Sequence, residues 1–287
     1  MILITGSSGQ VGSYLVERID GSIGLDKKPS KYTKIVQDIR GNLEDALRNY
    51  EIDAIVHAAA QVSVVKSVED PKFDAENNVI GTLNLLEYAR KHDVENFIYI
   101  SSAAVYGEPK YLPIDEKHPT EPKSPYGLSK LVGEKYALLY GELYGLKVAS
   151  IRPFNIFSDR QDPSSPYTGV ISIFVQNALR GKPLIIHGDG KQTRDFVNVD
   201  DVVSLIKIVL EKSATGIYNC GTGIEVSILE LARTVIELSG REVDIKYDAP
   251  RPGDIKHSRA DISSAISIGF VPSTDLRRDL KRFFFSG

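Results

Sequence analysis

The chain has 287 residues, of which 42% are apolar and 25% charged, a composition typical of a soluble globular protein with one large or two ordinary domains. A formal net charge of -3 provides no basic surface for nucleic acid or for a membrane, and no apolar run is long enough to span a bilayer. The single cysteine, Cys220, excludes an intramolecular disulfide. We therefore expect a cytoplasmic protein with no nucleic-acid and no membrane partner.

A glycine-rich turn follows the first predicted strand. Ile2–Thr5 is a short apolar strand, Gly6, Gly9 and Gly12 come next, and an apolar-periodic helix begins near Val11. Strand, glycine turn and helix form the context in which a dinucleotide pyrophosphate meets a helix N-terminus. The pattern therefore predicts a dinucleotide site at this junction.

A carboxylate ends the second predicted strand and bears on which dinucleotide is bound. Asp26 follows Ser22–Leu25, about twenty residues after the first glycine, where an acidic side chain accepts from the adenosine ribose hydroxyls. Its charge would repel a 2′-phosphate, so the sequence favours NAD over NADP. Lys27 and Lys28 temper this preference, because cations at that place can receive the phosphate.

Two further strand ends extend the predicted cofactor side. Asp38 follows the next short strand and is placed to accept from the adenine amino group, with Ile39 against the ring. The strand Ala54–His57 leads into 58–60, three alanines whose small side chains leave room for a cofactor. We expect His57 to be packed in the core, since no Cys or His cluster accompanies it.

A long helix is predicted from Asp70 to Ala89. Its apolar residues recur at helical spacing, which indicates one face packed against the sheet. If Phe73 and Ile80 face the core, Asn78 lies on the cofactor side of this helix.

The most informative stretch for chemistry follows the predicted buried strand Asn96–Ile100. Ser102 lies just beyond the strand, at the edge where open α/β sheets bind ligands. Tyr126 and Lys130 are four residues apart on the helix that Pro125 opens, so they share one face. An ammonium near a phenol lowers the phenol pKa, and such a tyrosine can take a proton from a sugar hydroxyl.

The C-terminal half continues the alternation of strands and helices that indicates an α/β fold with a parallel sheet. In chain order we predict a strand at Lys147–Arg152, a loop at Ser158–Tyr167, a helix at Gly169–Arg180, a strand at Leu184–His187, a helix at Asp200–Glu211, a strand returning to the sheet at Ile217–Cys220 and helices at Ser227–Ser239 and Arg277–Phe285.

Several motifs together resemble the extended short-chain dehydrogenase/reductase superfamily, and within it the UDP-glucose 4-epimerase branch. They occur in the family's order from residue 1 to about residue 261: Gly6-x-x-Gly9-x-x-Gly12, Asp38-Ile39, His57-Ala-Ala-Ala60, Ser101-Ser-Ala-Ala-Val-Tyr-Gly107, Tyr126-x-x-x-Lys130, Arg152-Pro-Phe-Asn155, Gly188-Asp-Gly190, Arg194-Asp-Phe196 and Arg251-Pro-Gly-Asp254. One departure is 156–160, Ile-Phe-Ser-Asp-Arg, where family members often read Tyr-Gly-Pro-Arg after the asparagine.

The resemblance implies a Rossmann-type doubly wound parallel sheet with a smaller C-terminal α/β substrate-binding domain. The expected division gives residues 1–157, with about 196–222 added, to the NAD-binding domain. Residues 158–195 and 223–287 then form the domain that binds a nucleotide-sugar. The helices at Pro71–Lys91 and Pro125–Tyr144 carry more apolar surface than one sheet face needs, which predicts a homodimer built from them.

The resemblance also assigns roles to residues. Ser102, Tyr126 and Lys130 are the expected catalytic residues. The expected cofactor contacts are Gly6, Ser8, Gly9, Gln10, Val11, Gly12, Asp26, Lys27, Asp38, Ile39, Ala58, Ala59, Ala60, Gln61, Asn78, Ser101, Tyr126, Lys130 and Pro153. The expected substrate contacts are Ser102, Tyr126, Asn155, Val170, Arg194, Arg251 and Ser258. We expect no metal.

The implied activity is NAD-dependent 4-epimerisation of a UDP-hexose through a 4-keto sugar. Two positions weigh against a nucleotide-sugar 4,6-dehydratase or decarboxylase, because relatives with those activities carry an acidic residue where this chain has Ala103 and Ala104. A net reductase would prefer exchangeable NADPH, against Asp26. A catalytically inactive NAD-binding scaffold usually loses the tyrosine or the lysine, and this chain has both. The sequence leaves open whether the base is uridine or thymidine.

One position bears on substrate breadth. In this family the residue seven positions after the diphosphate arginine lines the sugar pocket beside the 2-substituent, and a tyrosine there is associated with refusing N-acetylated sugars. Counted from Arg251, that position is Ser258, which leaves room for an N-acetyl group. The alternative is that Ser258 is an ordinary loop serine and that His257 fills the space.

Overall fold

Thirteen strands and eleven α-helices make up the described part of the computed structural model, which comprises residues 1–161, 169–250 and 255–285. The strands are β1 (Ile2–Thr5), β2 (Ser22–Asp26), β3 (Ile35–Val36), β4 (Ala54–His57), β5 (Asn96–Ile100), β6 (Lys147–Pro153), β7 (Asn155–Phe157), β8 (Leu184–His187), β9 (Thr193–Arg194), β10 (Phe196–Asn198), β11 (Gly216–Cys220), β12 (Val226–Ser227) and β13 (Ile245–Asp248). The helices are α1 (Gln10–Arg18), α2 (Leu43–Leu47), α3 (Val64–Glu69), α4 (Pro71–Ala75), α5 (Gly81–Lys91), α6 (Pro125–Tyr144), α7 (Val170–Leu179), α8 (Val199–Lys212), α9 (Ile228–Ser239), α10 (Ser263–Ser267) and α11 (Leu276–Phe285).

Seven of the strands form one parallel sheet in the order β11-β6-β5-β4-β1-β2-β3. The chain moves outward from β1 to β3 and then returns to place β4 on the other side of β1. This reversal is the topological switch point at which doubly wound sheets bind ligands, beyond the carboxyl ends of the strands. The predicted Rossmann-type architecture is confirmed.

The two faces of the sheet bury different sets of side chains because neighbouring residues of a strand point to opposite faces. In β1, Ile4 packs with α1 and α8, whereas Leu3 packs with α2 and α5 on the other side. In β5, Ile98 and Phe97 divide in the same way. Strands buried on both faces are continuous apolar runs, which is why the sequence pattern located them.

The helix predicted from Asp70 to Ala89 is interrupted by a π-helical turn at Glu76–Ile80, between α4 and α5. The turn inserts a residue into the helical repeat, so the predicted facing is wrong for Ile80, which is 48% exposed. Both Asn77 and Asn78 are buried instead. π-turns of this kind are frequent at functional sites.

A second, smaller core lies in the C-terminal half. It is built from α7, α9, α11 and short paired strands, with Phe157, Phe174, Leu231 and Leu280 at its centre. Three two-stranded sheets pair β7 with β10, β9 with β12, and β8 with β13. The first two residues of the segment that departs from the family pattern, 156 and 157, belong to a regular strand, because Asn155–Phe157 pairs in parallel with β10. No described helix is long and apolar enough to cross a membrane.

Candidate active site

A groove of about 520 Å³ runs along the carboxyl ends of the central strands. Residues at the ends of β1 to β6 contribute to its wall, and the residues expected to contact the cofactor are brought together there with two exceptions. The groove is lined by Gly6, Ser8, Gly9, Gln10, Val11, Gly12, Asp26, Lys27, Asp38, Ile39, Ala58, Ala59, Ala60, Ser101, Ser102, Tyr126, Lys130, Pro153 and Asn155, among others. The two exceptions are Gln61 and Asn78, which do not line it.

The glycine turn has the shape that a pyrophosphate needs. Gly6 has φ of 73°, and a Cβ on it would lie 2.7 Å from the Ala59 backbone nitrogen. A Cβ on Gly12 would overlap the Gly6 carbonyl oxygen. Gly9 caps α1 without a side-chain hydrogen bond, and the Gln10 Nε2 atom is buried without a partner. Unpaired donors at a helix N-terminus in the groove suit an anionic group.

The two predicted adenosine carboxylates differ in how they are held. Asp26 accepts from the backbone N–H groups of Ser8 and Lys28, at 3.0 and 2.9 Å, which fixes its carboxylate at the end of β2. Asp38 is bound by the Arg40 guanidinium, at 2.8 Å between Nη2 and Oδ2, and this hydrogen bonding lowers the pKa of Asp38. The carboxylate expected to meet the adenine amino group is therefore partly engaged within the chain.

The predicted catalytic residues converge on the floor of the groove. Ser102 follows β5, and its Oγ accepts from the Ala104 N–H at 3.1 Å. Ser124 caps α6 by accepting from the Gly127 N–H, which sets the start of the helix that carries Tyr126 and Lys130. The Lys130 ammonium lies 4.3 Å above the centre of the Tyr99 ring.

The pKa values on this floor do not follow the predicted direction. The spacing predicts that Lys130 lowers the pKa of Tyr126, but burial raises it, and the hydrogen bond with Ser102 only partly offsets that effect. Burial also lowers the pKa of Lys130 to about 7, against the attraction of Glu134 and Asp74. For Lys130, desolvation exceeds the attraction of the two carboxylates because its side chain is only 3% exposed.

A buried charge network lies behind the floor, and the sequence patterns do not predict it. The Arg152 guanidinium donates from Nε to Oε2 of Glu134 at 2.9 Å and from Nη2 to Oε1 at 2.5 Å. Arg152 also donates to the Tyr106 hydroxyl at 2.9 Å, and Ser150 donates to Glu134 at 2.8 Å. Glu134 is one turn beyond Lys130 on α6, a spacing that could have identified it from the sequence.

The π-turn places Asn77 at the groove instead of the predicted Asn78. Asn77 lines the groove, whereas Asn78, the predicted contact, is fully buried behind it. Asn78 accepts from the Gln61 backbone N–H at 2.7 Å and donates to Asp74 at 3.2 Å and to Ser129 at 3.0 Å. His57 is packed as expected, with both ring nitrogens within hydrogen-bond distance of threonine hydroxyls.

The predicted substrate residues are less well assembled than the cofactor residues. Asn155 lines the groove, and Gly169 does so in place of its neighbour Val170. Arg194 donates to the backbone carbonyls of Thr193 and Ile255, both at 2.7 Å.

Of the other two predicted substrate residues, the structure describes Ser258 alone. Ser258 is 8% exposed and does not line the groove. Arg251 lies outside the described residues. The roles assigned to these side chains and to the catalytic three remain predictions.

Comparison with known proteins identifies the class. The sequence profile of the NAD dependent epimerase/dehydratase family matches residues 2–221. The chain is 36% identical to the UDP-glucose 4-epimerase of Mycolicibacterium smegmatis, over 98% of this chain and 96% of the relative. The chain therefore belongs to the NAD dependent epimerase/dehydratase family, and NAD is its cofactor, as predicted.

Solved structures of similar proteins have the same fold. The UDP-glucose 4-epimerase of Thermus thermophilus, solved with NAD, is 35% identical with a TM-score of 0.90, over 98% of this chain and 96% of that one. The UDP-N-acetylglucosamine 4-epimerase of Methanobrevibacter ruminantium, solved with UDP-N-acetylmuramic acid, is 33% identical with a TM-score of 0.94, over 99% and 98%. The resemblance stated from the motifs is thereby confirmed.

Proposed function

We propose that the protein is an isomerase that interconverts UDP-glucose and UDP-galactose by inverting C4. The observation that carries this proposal is the placement of Ser102, Tyr126 and Lys130 on the floor of a groove whose glycine turn suits a dinucleotide. When bound, NAD supplies the chemistry of taking a hydride from C4 and returning it. A net redox product is not formed, which agrees with a cofactor that stays on the enzyme.

The chain's own residues manage the proton. The phenolate form of Tyr126, which burial disfavours, accepts the proton of the sugar 4-hydroxyl, and the resulting phenol later returns it to the oxygen on C4. Ser102, hydrogen-bonded to the phenol, holds the same oxygen and stabilises the phenolate. The Lys130 ammonium adds positive charge to the site, and its pKa of about 7 makes that charge sensitive to pH near neutrality.

The groove lacks an acid or base that the alternative activities would need. A dehydratase or decarboxylase needs an additional acid or base beside the serine, and Ala103 and Ala104 form the first part of the 3₁₀ turn at that place. Neither alanine can exchange a proton.

The test begins with the cofactor. Denatured protein should release NAD, identified by mass spectrometry, and incubation with UDP-glucose should produce UDP-galactose until both sugars reach equilibrium. Release of NADP, or accumulation of a 4-keto or 6-deoxy product, would contradict the proposal.

The proposed substrate range includes the N-acetylhexosamine forms. Ser258 is small, and the family member from Methanobrevibacter ruminantium is named for an N-acetylated sugar. We expect the parent to use UDP-N-acetylgalactosamine and Ser258→Tyr to lose this activity while keeping that on UDP-galactose. Equal use of both sugars by the Ser258→Tyr variant would show that Ser258 does not line the sugar pocket. It would favour the alternative in which His257 fills that space.

The proposed assembly is a homodimer through the helical segments Pro71–Lys91, which comprises α4, the π-turn and α5, and Pro125–Tyr144, which is α6. Leu139 and Leu143, four residues apart on α6, are 42% and 62% exposed, and Tyr144 is 52% exposed. Light scattering of the parent should give twice the chain mass, and Leu139→Glu/Leu143→Glu should give a monomer. Val271→Glu is the control, because Val271 is 75% exposed but lies elsewhere. A monomeric parent at micromolar concentration would reject the dimer.

A further inference from the structure

The Lys130 ammonium faces an aromatic ring and not a carboxylate. Its Nζ lies 4.3 Å from the centre of the Tyr99 ring, and no hydrogen bond or ion pair within the described chain includes this ammonium. Lys130 is almost fully buried and Tyr99, on β5, is fully buried, so little water competes for the charge. A desolvated ammonium is attracted by the negative face of an aromatic ring. The contact therefore stabilises a charge that burial disfavours.

Two further features tie the Tyr99 ring to this lysine. The Tyr99 hydroxyl donates to the backbone carbonyl of Lys130 at 3.3 Å, so one side chain contacts both the backbone and the ammonium of the same residue. Gly133, inside α6, makes room for the ring, because a Cβ there would overlap the Tyr99 hydroxyl oxygen and lie 2.9 Å from Cζ. A glycine inside a helix costs stability relative to alanine. The close approach of α6 to Tyr99 is therefore retained at a cost to the helix.

Four other titratable groups act on Lys130 or share its helix face: His57 on β4, Asp74 on α4, and Tyr126 and Glu134 on α6. Burial lowers the pKa of His57 and raises that of Tyr99, so both are neutral near pH 7. Both oxygens of Glu134 accept from Arg152 of β6. The two carboxylates attract Lys130 without forming an ion pair with it. The Tyr99 ring is therefore the electrostatic partner that the Lys130 ammonium contacts within the described chain.

We propose that Tyr99 is a positioning residue whose ring face holds the Lys130 ammonium, and with it a positive charge, at the groove floor that Tyr126 shares. The proposal rests on the proposed epimerase chemistry for its effect on rate, and on the contact between ring and ammonium for its effect on Lys130. This attraction exists only while the amine is protonated. Tyr99 therefore acts against burial, which lowers the pKa of Lys130.

Removal of the ring face is the direct test. Tyr99→Leu keeps an apolar side chain in β5 but takes the π system away from the ammonium. We expect the pKa of Lys130 to fall by about one unit. The value of kcat/KM should then fall about tenfold at pH values above the Lys130 midpoint, where the charge is lost, and change little well below it. A purely structural role would lower kcat/KM equally at every pH.

Two matched controls separate the ring face from other effects. Tyr99→Phe keeps the face and removes the hydroxyl with its hydrogen bond to Lys130. Phe97→Leu makes the same change from ring to leucine two residues earlier in β5, on the same side of the sheet, where Phe97 is equally buried. Both controls should cost stability but leave the Lys130 midpoint in place.

A second variant at the same position keeps the test open if Tyr99→Leu does not fold. A trifluorinated phenylalanine at position 99 keeps the shape of the ring, and its fluorine atoms withdraw electrons from the ring face. The weaker face should attract the ammonium less, so the Lys130 midpoint should lie below that of Tyr99→Phe. Equal midpoints in these two proteins would count against the ring.

A measurement without substrate separates this proposal from the proposed function. Nuclear magnetic resonance of the NAD-bound protein labelled with ¹³C at lysine Cε, with Lys130→Arg used for assignment, gives the Lys130 titration and the ring-current shift of its Hε protons. We expect an upfield ring-current shift in the parent and in Tyr99→Phe, and its loss together with a lower midpoint in Tyr99→Leu.

The outcomes of this titration are distinct. A lower midpoint in Tyr99→Leu, in a protein that does not epimerise UDP-sugars, would support the role of Tyr99 and reject the proposed function. Equal midpoints in the parent and in Tyr99→Leu, or an equal fall in Phe97→Leu, would overturn the role of Tyr99.

Discussion

Lys130 and Arg152 are both buried cations at the candidate active site, but their surroundings differ. Lys130, on the groove floor, is 3% exposed, and its ammonium faces the Tyr99 ring without an ion pair to any residue that the structure describes. Arg152, directly behind, is 1% exposed and is bound bidentately by Glu134. Burial lowers the pKa of Lys130, whereas hydrogen bonding and attraction from Glu134 raise that of Arg152.

This difference separates a group that can change its charge from one that cannot. A guanidinium in a bidentate pair stays charged and fixes the two elements that carry it. A desolvated lysine with a pKa of about 7 can respond to a ligand that enters the groove. The floor is therefore expected to decide turnover, and the network behind it is expected to decide stability.

The largest expected effect comes from the floor. Tyr126→Phe removes the proposed proton acceptor and should lower kcat by about a hundred- to ten-thousand-fold, with NAD retention and unfolding nearly unchanged. Tyr106→Phe makes the same chemical change in the network, where the hydroxyl bonds Asn219 and Arg152. It should cost stability but little turnover. Comparable losses of kcat in the two variants would show that the groove floor and the network behind it do not differ in their effect on turnover.

The next effect comes from the network. Arg152→Met leaves Glu134 buried without its partner and should reduce the free energy of unfolding by about 3–5 kcal/mol. Denaturant unfolding in saturating NAD measures this change. The double variant Arg152→Met/Glu134→Leu should recover most of the loss, because no charge is then left unpaired. A single variant as stable as the parent would show that the pair does not brace α6 against β6.

The last effect is the pH dependence of stability that Lys130 contributes. The pKa of Lys130 is about 7 when folded and 10.5 ordinarily, so the unfolded state binds more protons between these values. Parent stability should then rise with pH across this window, through the contribution of Lys130. Lys130→Met removes that contribution and should be more stable than the parent below pH 7, with the advantage shrinking as pH rises towards 10.5. Melting temperatures in saturating NAD test this, and an advantage that grows with pH would contradict it.

The apolar runs and the glycine spacing were enough to predict the frame of the cofactor site. The strands Ile2–Thr5, Ala54–His57 and Asn96–Ile100 begin and end where their apolar runs predict. Strands buried on both faces must be apolar throughout, and a parallel sheet places the residues after each strand at one common edge. The glycine turn and the residues after the strands therefore come together without knowledge of distant contacts.

The pKa shifts and the orientation of the helix residues depend on the packing of distant elements, which the sequence patterns did not predict. The π-turn buries Asn78 and brings Asn77 to the groove, although helical periodicity predicts otherwise. The pKa of Tyr126 rises although a lysine is one turn away. Each of these depends on how much water the packed elements exclude and on which partners distant strands supply, and local spacing encodes neither.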